Sequence, residues 1–73
     1  MEIINQLKEF VNKARSLANS FSDVGEDDNS YDAGALAREA EEVIEDLSRL
    51  KGETPEGASR WLEDAKKRLD MIG

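Results

Sequence analysis

From Ile3 onward the apolar positions are Ile3, Leu7, Phe10, Ala14, Leu17 and Phe21, at intervals of four, three, four, three and four. Ile4, Val11 and Ala18 widen the stripe along one edge, each seven residues from the next. Gln6, Lys8, Glu9, Asn12, Lys13 and Ser16 fill the intervals. A stripe that returns about every 3.6 residues is one face of an amphipathic helix, because only that period brings the side chains back to the same side. The spacing predicts a first helix over residues 2–21.

The same pattern occurs twice more. Leu36, Ala40, Val43, Leu47 and Leu50 repeat the alternation of four and three, with Ala37 and Ile44 in the widening positions. Gly52 follows, where a helix commonly ends on a left-handed residue. Arg49 and Lys51 suit the negative end of the helix dipole. The start is less defined: Ser30 or Asp32 is a capping type, and Gly34 weakens the first turn. This second helix is predicted over 32–51. The third has the plainest start, with Thr54 as cap, Pro55 at the first helical position and Glu56 in the first turn. Ala58, Leu62, Ala65, Leu69 and Ile72 carry its stripe, Trp61 lies beside it, and the helix is predicted over 55–72.

Isolated helices of this length are marginal in water, and each carries one apolar face that it cannot bury alone. Three such faces are buried together by an all-α, up-down-up three-helix bundle with left-handed, coiled-coil-like packing. The short link between Lys51 and Thr54 makes the last two helices antiparallel. The acidic linker 22–31 is expected to cross one end of the bundle, with Val24 and Tyr31 tucked against that end. The expected core is Ile3, Leu7, Phe10, Val11, Leu17, Phe21, Leu36, Val43, Ile44, Leu47, Leu50, Trp61, Leu62, Leu69 and Ile72. Ala14, Ala40, Ala58 and Ala65 serve as positions of close approach.

Composition then narrows the chemistry. The chain has 73 residues, one small domain, with no Cys and no His. Disulfides, thiolate metal sites and the usual neutral-pH acid/base group are therefore excluded. Helix packing and self-association are the remaining supports for so small a core. A net charge of −7 opposes nucleic acid, which is bound by Lys and Arg displacing counterions, and opposes anionic lipid. No apolar run approaches the ~20 residues of a membrane span. The opening "MEIINQLKEF" lacks the basic region and apolar block of a signal peptide, so the expected setting is the cytoplasm.

The stretch "SFSDVGEDDNSYDAG" holds Asp23, Glu26, Asp27, Asp28 and Asp32 within ten residues. Oxygen-rich loops bind hard cations, but an EF-hand frame needs alternate ligands before a Gly at its sixth position. Counting back from Gly25 puts Ser20, Ser22 and Val24 at those places, and from Gly34, Asn29, Tyr31 and Ala33. The frame is absent, and a solvated connector is the expectation. Glu39, Glu41, Glu42, Glu45 and Asp46 lie away from the Leu36–Leu50 stripe and read as a solvated face. Arg60, Lys66, Lys67 and Arg68 are interrupted by Glu63, Asp64 and Asp70 and read as ion pairs four residues apart. The serines and Thr54 have no base to activate them, and the glycines form no phosphate-cradling loop. The expectation is no catalytic residue, no cofactor and no metal.

Trp61 closes the edge of a core or anchors a partner, two uses to which Trp is suited. With Ile4 and Val11 it makes up the candidate partner anchors. One strip of Ile4, Val11, Ala18 and Trp61 facing water would mark a docking surface; the same residues covered by the chain's own helices would mark a scaffold. No stretch carries a motif specific to a natural family. In class, the chain is similar to designed three-helix bundles: no Cys or His, one Trp, superposable stripes, and a "GETP" connector that ends one helix and starts the next. The acidic linker, Gly34, Gly57 and the like-charged neighbours on the second helix depart from idealised choices. The resemblance implies a structural scaffold, designed or redesigned, that requires no partner. A small protein–protein interaction module, docking a helix or a basic surface or self-associating, is the alternative.

Overall fold

The computed structural model describes residues 2–49 and 51–72. It is an up-down-up bundle of three helices: α1 over Glu2–Asp23, α2 over Asp27–Arg49 and α3 over Pro55–Met71. The long dimension is 39 Å, against 19 and 17 Å across. A helix of 22 residues is about 33 Å long at ~1.5 Å per residue, so the molecule is one helix long throughout.

The three stripes meet as their spacing requires. Ile3, Leu7, Phe10, Val11, Leu36, Val43, Leu47, Leu62 and Leu69 are buried, and no polar or charged side chain is buried among the described residues. Leu17, Phe21, Ile44, Trp61 and Ile72 are half-buried at the rim of this core. Leu50 lies outside the described residues. The core also contains Ala33 and Ala37. With Ala14 and Ala40 they give the α1–α2 seam four side chains of one carbon, each at most 1% exposed. Small residues let two backbones come close, and α1 and α2 are the more closely packed pair, with α3 set farther from both.

The connector between α1 and α2 corrects the expected linker 22–31. Only Val24, Gly25 and Glu26 lie between the helices. The Glu26 N–H donates to the Phe21 carbonyl at 2.8 Å and the Gly25 N–H to the Ser22 carbonyl at 3.1 Å. That bond pair is a Schellman motif, with Gly25 as its left-handed residue at φ +81°. The chain reverses at once, and the Ser30 N–H already donates to the Glu26 carbonyl at 3.0 Å. Ser30 and Asp32 are therefore inside α2 rather than capping it. Val24 and Tyr31 do not tuck against the bundle end: they are 70% and 69% exposed. A connector this tight has no slack to fold back over the core.

The start of α3 has the expected form. The Thr54 hydroxyl accepts from the Gly57 N–H at 3.0 Å, and Pro55 opens the helix. At the end of α2, the Lys51 N–H donates to the Asp46 carbonyl at 3.0 Å, and Gly52 takes φ +81°.

Candidate functional site

The acidic segment is now a helix start. Asp27 and Asp28 occupy the first turn of α2, where unsatisfied N–H groups carry partial positive charge. A carboxylate there stabilises a helix by ~0.3–1 kcal/mol at low salt. Asp23 closes α1, Glu26 sits in the turn, and Asp32 lies one turn into α2; all five carboxylates are exposed. Among the described residues, no group of three or more Asp, Glu, His or Cys side chains is placed to hold a metal ion. The helix dipole favours Asp27 and Asp28 at the start of α2 but not Asp23, which stands at the negative end of α1. Tyr31 lies on the outer surface, with the Arg38 guanidinium 5.9 Å from its ring centroid, an exposed cation–π contact worth ~0.5–1 kcal/mol.

The three candidate anchors are divided between two seams. Trp61 is half-buried and meets Phe10 edge-on, with ring centroids 6.0 Å apart and planes at 81°. This is the favoured T-shaped arrangement of two aromatic rings, and it joins α3 to α1. Val11 is buried, and its edge lines a groove between α1 and α2. Ile4, one heptad before Val11 on the same edge of α1, is half-buried against the core. The structure therefore brings Ile4 and Val11 together on one seam and sets Trp61 on another.

That α1–α2 groove encloses about 390 Å³ and is lined by Lys8, Val11, Asn12, Glu41, Ile44 and Glu45. No α3 residue reaches it. Its floor is apolar (Val11 and Ile44) and its rims are charged. The spacing puts Ile44 in the core and Glu41 and Glu45 on a solvated face. The signal for the groove was the pairing of Ile4, Val11 and Ala18 with Ala37 and Ile44 as matching edge residues on two neighbouring helices. The other two interhelical grooves are bordered by Glu9, Lys13, Lys66 and Asp70, and by Asp32, Glu39 and Arg68.

Four ion pairs decorate the surface among the described residues. Arg15 and Glu41 join α1 to α2. Glu45–Arg49 at 3.0 Å, Glu56–Arg60 at 3.8 Å and Asp64–Arg68 at 2.9 Å each span four residues within a helix. Glu45–Arg49 and Asp64–Arg68 follow from the favourable four-residue spacing of an acid before a base, whereas Glu63–Lys67, at the same spacing, does not form among the described residues. Exposed pairs of this kind contribute ~0–1 kcal/mol each. They use two of the four basic residues of α3 within its own helix.

No protein-family model, curated protein or solved structure matches this chain.

The remaining chemistry is sparse. Every Asp and Glu on the outer faces of α2 is exposed except Asp46, which is half-buried. General acid/base work relies on carboxylates moved out of water so that their proton affinity changes. None of the described Asp and Glu side chains is buried. None of the helices is long and apolar enough to cross a membrane among the described residues.

Proposed function

We infer that this chain is a structural scaffold without catalytic function, a designed or redesigned three-helix bundle whose stability resides in its own core. The supporting observation is the self-sufficiency of that core. Leu7, Phe10, Leu36, Leu47, Leu62 and Leu69 are each at most 7% exposed within one chain, and they are packed with no buried polar group to satisfy. A core completed by a partner would leave large apolar residues of the central stripes facing water. The described large apolar residues that do face water are Val24, Tyr31 and Met71, none of which belongs to a stripe. The helix ends are served by the chain's own devices: Gly25 in its Schellman turn, Thr54 with Pro55, and Gly52.

The test is equilibrium unfolding of the isolated chain at low micromolar concentration, by circular dichroism and by tryptophan fluorescence. A scaffold unfolds in one cooperative, reversible step by both probes, with the same midpoint in the presence of a chelator. A chain that binds a hydrophobic dye at neutral pH and melts without cooperativity until a partner is added refutes the reading.

A further inference from the structure

The α1–α2 pair is covered by α3 on one face only. The opposite face carries the groove floored by Val11 and Ile44, flanked by half-buried Ile4 and Ala18. We propose that this groove is the interface of a weak homodimer, in which a second copy of the chain lays its own α1–α2 face against it. The proposal goes beyond the scaffold reading, since the central core is complete in each copy.

The occupant is argued from the sign of the rims. Along α1 the rim carries Lys8 and, one turn on from Asn12, Arg15; along α2 it carries Glu41 and Glu45. A uniformly basic helix laid in the groove would meet Lys8 and Arg15, and a uniformly acidic one would meet Glu41 and Glu45. A second copy meets neither obstacle. With a two-fold axis running along the groove, parallel to the helices, α1 of each copy lies on α2 of the other. Because the axis does not shift heights, residues that face each other across the groove within one chain also face each other between chains. Lys8 of one copy then stands against Glu45 of the other, and the reverse pair forms by symmetry. Lys8 makes no ion pair among the described residues, so its charge is available, and Glu45 would turn to it from its exposed pair with Arg49.

Size agrees with a weak contact. The contact can be no larger than the 39 Å by 19 Å outline of the whole molecule, roughly 700 Å², and so falls below the ~800 Å² per partner of a standard interface. The charge of −7 on each copy opposes approach at long range, so the local pairing supplies the specificity.

Sedimentation equilibrium of the full chain, from about 10 µM to about 1 mM, covers the range where such an interface associates. The wild-type average mass is expected to rise toward twice the monomer. Lys8→Glu and Glu45→Lys, both at exposed positions, each place two like-charged pairs in the interface. Each is expected to weaken association at least tenfold; the thermal midpoint at low concentration holds for Lys8→Glu and falls only slightly for Glu45→Lys, which also loses the exposed pair with Arg49. An equimolar mixture of the two variants is expected to associate again, because each supplies the charge the other lacks. A wild-type chain that stays monomeric throughout overturns the proposal and leaves the self-contained core untouched. Single variants that associate as tightly as wild type also overturn it. So does a mixture that fails to recover, since the groove then serves something other than a second copy.

Discussion

Leu7→Ala tests the bundle core at its most enclosed point. Leu7 is the one large side chain with no measurable exposure among the described residues, so water cannot enter to relieve the loss. Removing three carbons forfeits about 2.4 kcal/mol of transfer free energy at ~0.8 kcal/mol per methylene. The incompletely collapsed cavity raises the total to ~3–5 kcal/mol. A domain of 73 residues has a stability of about 4–11 kcal/mol at ~0.05–0.15 kcal/mol per residue, so this one change removes a large share. At ~4–8 °C per kcal/mol the thermal midpoint falls by at least about 12 °C. Urea melts followed at 222 nm, at low micromolar concentration, give the free energy directly. Met71→Ala is the matched control: Met71 is 84% exposed, and its loss should stay within ~0.5 kcal/mol. A Leu7→Ala cost below ~1 kcal/mol, or one no larger than that of Met71→Ala, would show that the stripes do not converge on a shared interior.

Three further substitutions follow from the local geometry, each read by the same urea melts. Gly25 and Gly34 both have open space where a Cβ would go, but Gly25 holds φ +81° and Gly34 does not. Gly25→Ala should therefore cost ~1–2 kcal/mol from left-handed strain alone, and Gly34→Ala should stabilise by ~0.5–1 kcal/mol through helix propensity; equal signs would contradict the helix boundaries. Ala40→Leu, at a fully buried position of the α1–α2 seam, should destabilise by ~1–3 kcal/mol from overpacking, with little propensity change to confuse the reading.

The stripes were legible because three successive segments share one period, and a residue's place in that period decides its burial. Ala33 fell in the same alternation, three residues before Leu36, but its small side chain and its nearness to the acidic segment hid it. The connector was misjudged for a related reason. Asp27, Asp28, Asn29 and Ser30 are ordinary loop residues by composition, and composition outweighed two better signals. A ten-residue link is long between packed helices, where ~2–8 is usual. Gly25 also follows the apolar stripe of α1 as Gly52 follows that of α2, and both take φ +81° as helix ends. The groove was the least legible feature. Edge residues such as Ile4, Val11 and Ile44 belong to the core or to an interface depending on whether a third helix covers them, and a pattern along one chain does not say on which face α3 will settle.

The absence of buried polar side chains among the described residues bears on how this bundle selects one register. Buried polar pairs and charges commonly fix alignment in helical assemblies, and none is available here. Alignment must come from shape. Alanines are concentrated on the stretch of the seam nearest the α1–α2 turn, with Ala14 and Ala18 on α1 and Ala33, Ala37 and Ala40 on α2. The larger Ile3, Leu7 and Phe10 stand toward the other end of α1, level with Val43 and Leu47 on the antiparallel α2, and Phe10 meets Trp61 of α3. A one-heptad slip of α2 would set large residues against large at one end and alanine against alanine beyond its place at the other, producing overlap and voids at once. Close-packed interiors tolerate neither. The tight Gly25 turn removes the slack such a slip would need. Small side chains thus specify the pairing of α1 with α2, and the same close approach leaves their outer face shallow enough for Ile4 and Ile44 to remain half exposed.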